Sequence, residues 1–307
     1  MATITAKDVA ALRAKTGIGM MECKKALVEA EGDMDKAVTI LREKGELKAQ
    51  SKMETRIAAD GIVDVLTEGN KTAIIEVNTE TDFVAKNETF KAFVKNILKC
   101  IINTNPSSVE DLLASDYEGT TVDAKLKELI FQIGEKITIR RFAVAEGVTS
   151  TYIHGAGSIG VVVCFDTDCA DKDGFAEVAK NVALQVGAYA TPYLDRESVP
   201  ASVIENEKTI LMAQIANDPA NSKKPQNIIE KMVLGRIGKF YENNCLVDMA
   251  YVKDDSMTVG KYVETSAKEL GGSIKITGFY RYEKGEGIQK KEEDFAAEIE
   301  KLAGGNK

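Results

Sequence analysis

Apolar residues in the first 50 positions recur at three- and four-residue spacings, which is the period of amphipathic helices. Three short helices are predicted, in residues 5–17, 19–33 and 34–45. The residues predicted to end them are Gly17, Gly32 and Gly45. The positions predicted to face a common core are Val9, Leu12, Met21, Ala26, Leu27, Ala37, Val38 and Leu41. Residues 1–50 are therefore expected to form a small three-helix domain, and the charged stretch 46–56 a helical or extended linker behind it.

From residue 59 onward apolar and polar residues alternate instead, which is the two-residue period of a half-buried strand. The alternation passes through Glu68-Gly69-Asn70, a sequence suited to a tight turn, so residues 59–82 are predicted to form a β-hairpin. A helix is predicted next, in residues 88–102. Its apolar stripe consists of Phe90, Phe93, Val94, Ile97 and Ile101.

The same order of hairpin and helix returns in residues 152–168 and 173–189. An ungapped alignment of the two helical segments matches Phe90 with Phe175, Lys95-Asn96 with Lys180-Asn181, Ile97 with Val182 and Ile101 with Val186. We interpret this match as a duplication. It predicts two related αβ subdomains, the first in residues 56–147 and the second in 148–194 together with 244–284.

Between the two parts of the second subdomain, residues 195–243 carry two helical stripes separated by a turn-rich segment. The facing positions are Val203, Ile204, Ile210, Leu211 and Ile215 on one helix and Ile228, Ile229, Met232, Val233, Ile237 and Phe240 on the other. This pattern predicts an inserted, protruding antiparallel helical hairpin, a short coiled coil. A helix in 259–270 and a strand in 272–285 return to the second subdomain, and residues 285–307 are predicted to form a C-terminal module with an acidic amphipathic helix. The predicted fold class is α+β.

Composition narrows the class of protein. The chain has 307 residues, 44% of them hydrophobic, and a net charge of −8, so it offers no general electrostatic attraction to phosphate backbones. Five cysteines without a C-x-x-C pair indicate reduced thiols. No signal peptide is recognisable, and no apolar run approaches the ~20 residues that cross a bilayer. We therefore expect a cytoplasmic protein that binds neither nucleic acid directly nor membranes.

Motifs that would indicate catalysis or ligand binding are weak. Gly155–Gly160 spells G-x-G-x-x-G, but an apolar strand follows it where a dinucleotide site needs a helix, so a hairpin turn is predicted. Asp166–Gly174 resembles a calcium loop but would place Cys169 and Lys180 at positions that require oxygen ligands. His154 is the only histidine, and no phosphate-binding loop or nucleophile with a neighbouring base is recognisable. The sequence therefore predicts no enzyme, no cofactor and no metal site, which leaves contact surfaces as the candidate functional features.

One aromatic residue stands in an unusually polar segment after the first hairpin. Residues 78–87 contain Asp82 and Phe83 side by side, directly behind an apolar strand. The corresponding turn of the second subdomain, residues 166–171, has no Phe, so the folding unit does not require one. Phe83 either packs into the core or contacts a partner, and both interpretations remain open at this point.

Six stretches of sequence carry a family resemblance, and the first two of them are long and very specific. These stretches are residues 12–27, 76–87, 137–141, 152–155, 286–288 and 294–297. Through them the chain resembles bacterial elongation factor Ts. That family's fold is similar to the predicted layout: a ubiquitin-associated-like (UBA-like) three-helix domain, two related core subdomains, a protruding helical hairpin and a C-terminal module. The resemblance implies a guanine-nucleotide exchange factor that binds elongation factor Tu, promotes GDP release and so permits GTP reloading during translation.

The resemblance also implies which residues contact the partner. One set matches the family's intruding segment and consists of Thr81, Asp82, Phe83 and Val84. In the family, the phenyl ring of this segment wedges beside the GTPase switch region and dislocates the magnesium ion. A second set matches other contact regions and consists of Met20, Met21, Lys24, Ile133, Gly134 and His154. Core packing is an equal alternative for the two methionines, as is a structural role for His154.

Two other functions remain open from the residues alone. The first is an RNA- or ribosome-associated factor that uses the N-terminal domain as an adaptor. The second is a module that binds ubiquitin-like proteins. A phosphate-binding factor would lose affinity steeply with ionic strength, which distinguishes the first of these from a factor that binds a protein.

Overall fold

The computed structural model describes residues 4–218 and 224–289, with residues 46–55 described by their backbone alone. The helices in these ranges are α1 (Ala6–Thr16), α2 (Met20–Glu29), α3 (Met34–Thr55), α4 (Asp82–Ala85), α5 (Glu88–Thr104), α6 (Val109–Ala114), α7 (Val122–Ile133), α8 (Phe175–Ala188), α9 (Ala201–Asn217), α10 (Gln226–Asn244) and α11 (Val259–Glu269). The strands are β1 (Asp60–Glu68), β2 (Lys71–Thr79), β3 (Asp116–Tyr117), β4 (Thr120–Thr121), β5 (Ile137–Glu146), β6 (Val148–His154), β7 (Ile159–Thr167), β8 (Ala250–Tyr251), β9 (Asp254–Thr258) and β10 (Ile274–Glu283). Helices and antiparallel strands together confirm the predicted α+β class.

The N-terminal helices α1, α2 and α3 pack around a common core, as their periodicity predicts. Leu12, Leu27 and Leu41 are its largest fully buried members. Gly17 ends α1 in the left-handed conformation, with φ of 69°, which glycine adopts without the steric cost that a side chain imposes. Met21 is an exception among the predicted core positions, since it is exposed.

The predicted end of α3 at Gly45 is wrong, because the helix continues to Thr55. Gly45 instead lies against Phe131 of α7, where an added Cβ atom would come within 3.1 Å of the ring. The glycine therefore permits a close approach between the N-terminal domain and the core. The linker that follows the predicted three-helix domain is helical.

The first sheet has the strand order β1-β2-β5, with antiparallel neighbours throughout. The predicted hairpin is present, and its turn lies at Gly69-Asn70 between β1 and β2. Helix α5 packs on this sheet, and every residue of its predicted apolar stripe is buried. The short helix α4 lies between this sheet and α5 in the chain, and its Val84 and Ala85 belong to the same buried cluster.

The second sheet repeats the topology of the first. Its strand order is β6-β7-β10, so the second strand of a hairpin is again central and a later strand pairs with its outer side. The stripe of α5 and its counterpart on α8 are buried at matching positions: Phe90 and Phe175, Phe93 and Val178, Val94 and Ala179, Ile97 and Val182, Ile101 and Val186. A duplication would leave such a correspondence. The boundaries of the subdomains stay predictions.

The two sheets pack against each other through a small apolar cluster that contains Val63, Ile74 and Val162. A backbone hydrogen bond of 2.7 Å from the N–H of Val63 to the carbonyl of Gly157 joins β1 to the turn between β6 and β7. A hydrogen bond of 2.7 Å between the hydroxyls of Thr72 and Thr149 joins the sheets near the other end of β1, so they are in contact along its length.

Glu76 on β2 is a fully buried carboxylate at this junction. It accepts hydrogen bonds from Asn78 (3.0 Å), the backbone N–H of Gly285 (2.8 Å), Arg140 (2.9 Å) and Arg141 (2.6 Å). Burial by itself raises the pKa of a carboxyl group, but these donors together outweigh it and hold the pKa of Glu76 below its usual value. The charged form of Glu76 therefore ties β2 to β5 and to the turn behind β10.

Helices α9 and α10 pack on each other through a cluster of their own. Its buried members are Leu211, Ile215, Val233 and Ile237. Ile210 and Ile228 were predicted to lie in this interface, and this prediction is wrong, since both are exposed. A pair of helices buries only a narrow stripe on each partner, so apolar residues at its edges face water. Tyr193 and Cys245 are bridge partners where the hairpin joins the core.

Most of the predicted C-terminal module, residues 290–307, lies outside the described residues. The part that is described follows β10 as a turn, in which the Glu286 carbonyl accepts from Arg140 and the Glu286 carboxylate pairs with Arg141. None of the described helices combines the length and the hydropathy that a bilayer-crossing segment needs.

Candidate partner-binding site

Residues 81–85, here named the Phe83 turn, place an aromatic ring in solvent. The chain leaves β2 at Thr79 and enters the one-turn helix α4 at Asp82. Val84 and Ala85 are buried against the core, whereas Phe83 is 79% exposed. Successive residues of a helix point about 100° apart, so anchoring Val84 and Ala85 inward directs Phe83 outward. The interpretation of Phe83 as a core residue is therefore wrong.

Asp82 adds a charge beside the exposed ring. Its Oδ2 atom lies 2.6 Å from Nζ of Lys86, one turn further along the chain. The hydrogen bond from Lys86 to Asp82 and the carboxylate charge raise the pKa of Lys86. The Lys86 side chain is largely exposed and the Asp82 side chain about half exposed, so the pair contributes little to stability. Its consequence is a polar rim next to the apolar surface of Phe83.

Thr81 is held by a residue that the sequence did not indicate. Its backbone N–H donates to Oε2 of Glu135 at 3.0 Å, and its hydroxyl donates to Oε1 at 2.7 Å. Glu135 follows Gly134, whose left-handed conformation, with φ of 89°, turns the chain from α7 towards β5. Ile133, the last residue of α7, packs half-buried against the core. The structure thus brings the predicted contact residues Ile133 and Gly134 to the start of the Phe83 turn.

His154 lies exposed at the end of β6. Its Nδ1 atom is 2.9 Å from the hydroxyl of Tyr152, so one ring nitrogen is bonded while the ring remains at the surface. In the turn that follows His154, the carbonyl of Ser158 accepts a hydrogen bond from the backbone N–H of Lys284. The side chain of Lys284 forms an ion pair with Asp60. Asp60 begins β1 opposite the end of β2. The turn behind His154 therefore lies at the end of the core from which the Phe83 turn emerges.

Met20, Met21 and Lys24 lie on the outer face of α2. The two methionines are 55% and 66% exposed, so the alternative that places them in the core is wrong. Val28 is also exposed and extends this face by a further turn. Helix α3 packs against both α2 and α7, and α7 leads into Gly134. Helix α7 and the residues that follow it therefore connect to both surfaces: to α2 through α3, and to the Phe83 turn through Glu135.

The glycine-rich motif Gly155–Gly160 has a structural role in the second hairpin. Gly155, Ala156 and Gly157 form the turn between β6 and β7 with positive φ angles, as predicted for a hairpin. In the two described ranges, no group of three or more His, Cys, Asp or Glu residues is arranged to hold a metal ion. The exposed Phe83 ring with its charged neighbours and the exposed apolar face of α2 are suited to recognition of a protein surface.

Known proteins match the chain over nearly its whole length. The sequence model of the family described as Elongation factor TS matches residues 80–286, which include the Phe83 turn. An elongation factor Ts of Clostridium kluyveri is 45% identical and covers 97% of this chain and 98% of its own length. Elongation factor Ts of Clostridium perfringens is 46% identical, with coverages of 98% and 99%. That of Clostridium botulinum is also 46% identical, with coverages of 97% and 98%. The chain therefore belongs to the elongation factor Ts family of translation elongation factors.

Proposed function

We propose that this protein is a guanine-nucleotide exchange factor for elongation factor Tu, which binds the GDP-bound GTPase, promotes GDP release and lets GTP reload. Membership of the elongation factor Ts family supports this function. The observation that carries the proposal is the Phe83 turn. A phenyl ring that is 79% exposed, on a turn whose next two residues are buried, is arranged for insertion into a partner rather than for folding.

The physical basis of exchange is competition between two ligands of one protein. A GTPase holds GDP through a phosphate-binding loop and a magnesium ion. A partner that binds best when these groups are displaced lowers the affinity for GDP, and by linkage GDP lowers the affinity for the partner. GDP therefore leaves from the ternary complex, and incoming GTP in turn weakens the hold of the partner.

In this proposal the residues of the Phe83 turn have two different roles. Phe83 is the anchor that enters the GTPase beside its switch region and displaces the groups that organise the magnesium ion. Asp82 supplies a polar contact next to it. Thr81 and Val84 hold the turn on the protein, because Thr81 donates hydrogen bonds to Glu135 and Val84 is buried in the core. This chain thus contributes binding energy and geometry, and none of its groups takes part in a covalent step.

One ring is too small to hold a complex together, since specific interfaces bury about 800 Å² on each partner. The further contacts are proposed at Met20, Met21, Lys24, Ile133, Gly134 and His154. The two methionines suit this role because flexible, polarizable side chains adapt to the surface they meet. Their exposure on α2 leaves them accessible to a partner.

Release of labelled GDP tests the proposed function. Elongation factor Tu is loaded with fluorescent GDP and mixed with excess unlabelled GTP, and fluorescence is followed while the concentration of this protein is raised. We expect the release rate to increase with concentration and then to saturate. An unchanged release rate at concentrations where size exclusion shows a complex would contradict the proposal.

A further inference from the structure

Glu135 contacts the Phe83 turn through both of its carboxylate oxygens. Oε2 accepts the backbone N–H of Thr81 at 3.0 Å, and Oε1 accepts the hydroxyl at 2.7 Å. Thr81 precedes the first residue of α4, a position at which threonine commonly caps a helix with its hydroxyl. Here the Thr81 side chain makes no capping bond, and its hydroxyl donates to Glu135. Thr81 is therefore held from the connection between α7 and β5, and its carbonyl also accepts from the hydroxyl of Thr79 at 2.8 Å.

Contacts in the opposite direction join the same two segments. Glu80 accepts the backbone N–H of Lys136, and Arg56 donates to both Glu80 oxygens at 3.1 and 3.0 Å. The Nζ atom of Lys136 donates to the carbonyl of Arg56 at 2.8 Å. Residues 80–81 and 135–136 thus each place a carboxylate on a backbone N–H of the other segment. Arg56, directly behind α3, ties the N-terminal domain to both.

A single helical turn requires such support. Forming the first turn of a helix fixes several backbone dihedrals for one hydrogen bond, so a turn like α4 is not stable by itself. Val84 and Ala85 attach the turn to the core on one side of Phe83 in sequence. Glu135 attaches it on the other side, through Thr81. Two attachments that flank Phe83 define the direction in which its ring leaves the surface.

We propose that Glu135 is a positioning residue for nucleotide exchange, which holds Thr81 so that the Phe83 ring is presented in the direction in which the GTPase binds it. The inference rests on the proposed function of Phe83. A ring held in place loses less conformational freedom on binding, so removing its support slows exchange while the contact surface stays intact.

The two hydrogen bonds predict which substitutions matter. In Glu135→Gln the amide oxygen still accepts the Thr81 N–H, and the amide nitrogen donates to the hydroxyl oxygen, so the geometry survives without the charge. Glu135→Ala removes both hydrogen bonds. Glu128→Ala is the matched control, since Glu128 is an exposed acid on α7 that pairs with Lys125 within its own helix.

The test compares GDP release at a limiting concentration of each variant, together with urea unfolding of the free chain. We expect Glu135→Ala to slow release about tenfold, near the low end of the range for one hydrogen bond to a charged group, because Thr79 and the buried Val84 still hold the turn. Both Glu135→Gln and Glu128→Ala should stay within about twofold of the wild-type rate. In a Phe83→Ala background, Glu135→Ala should slow release no further, because Glu135 acts through the ring. An equal loss in both backgrounds would overturn the proposal in favour of a general structural role.

Amide hydrogen exchange of the free chain gives a readout that does not depend on the GTPase. We expect faster amide exchange at Phe83–Lys86 in Glu135→Ala and native protection in Glu135→Gln. Native protection in Glu135→Ala would overturn the proposal even where GDP release falls. If the wild-type chain releases no GDP, the proposed function fails, and amide exchange still decides whether Glu135 holds the Phe83 turn.

Discussion

The substitution Phe83→Ala distinguishes a contact residue from a structural one. Phe83 is 79% exposed, so about a fifth of it is covered in the free protein. A phenylalanine buries ~200 Å² when fully covered, so about 40 Å², worth ~1 kcal/mol, is the upper limit of its contribution to the free energy of unfolding. Covering the remaining ~160 Å² in a complex contributes up to ~4 kcal/mol. The substitution should therefore leave unfolding almost unchanged and weaken the functional contact strongly.

This difference is measurable as a rate. Interface anchors contribute ~2–4 kcal/mol, which corresponds to roughly 30-fold to 900-fold in the second-order rate of GDP release. Fluorescent GDP release at rising concentrations of the variant measures that rate, and urea unfolding measures stability. Phe90→Ala is the matched control, because Phe90 is fully buried on α5 and its truncation should cost ~3–5 kcal/mol of unfolding free energy. A Phe83→Ala protein that unfolds like this control, or that releases GDP at the wild-type rate, would refute the reasoning.

Three further predictions concern stability. Replacing Val203–Phe240 by a short linker should leave the two-sheet core folded, because α9 and α10 bury their apolar residues against each other. Loss of the cooperative thermal transition would show that this hairpin belongs to the core. Gly45→Leu should lower the free energy of unfolding by ~1–3 kcal/mol, because the new side chain overpacks against Phe131. Gly235→Ala should raise it by ~1 kcal/mol, because Gly235 lies in an exposed helix interior with open space around it. Urea titrations of both variants measure these changes, and a change in the same direction for both would contradict the packing argument. Since the pKa of Glu76 is lowered in the folded state, its stabilisation is present above the usual value of 4.5 and is lost as pH falls through the lowered pKa. Glu76→Gln should flatten this acid dependence and cost ~3 kcal/mol at neutral pH, the low end of the range for a broken buried pair because its arginines keep partial access to water. Urea titrations across the acid range measure both effects, and an unchanged pH dependence in the variant would contradict the assignment.

Local spacing predicted most of the secondary structure. The three N-terminal helices, both β-hairpins and the matching stripes of α5 and α8 follow from periods of 3.6 and 2 residues. Gly45 does not end its helix as predicted, because a glycine either ends a helix or admits a close neighbour, and only the contact with Phe131 distinguishes the two. The outward positions of Ile210 and Ile228 depend on how much of each helix its partner covers, which local sequence does not report.

The sequence predicted Phe83 as a contact residue of the candidate site, but it did not predict that Glu135 holds the turn. The sequence indicates Phe83 as a candidate contact residue because an apolar ring in a polar segment has no local partner. Its exposure became evident only from the burial of Val84 and Ala85, which orients the turn. Glu135 belongs to no recognisable motif, and its partner Thr81 is 54 positions away along the chain. Such a contact depends on how α7 and β2 are placed by the core.

The two sheets become complete at different stages of synthesis. All strands of the first sheet are available once residue 146 has emerged, whereas β10, the third strand of the second sheet, lies at Ile274–Glu283. The chain between β7 and β10 is nearly twice as long as that between β2 and β5. Tyr193 and Cys245 are bridge partners at the base of the helical hairpin, so the residues between them form a closed loop. The entropic cost of bringing β10 to β7 then depends on the residues outside this loop, which are fewer than the whole connection. Every residue of the first sheet and of the Phe83 turn has therefore been synthesised before β10, whereas the contact proposed at His154 lies on β6, in the sheet that β10 completes.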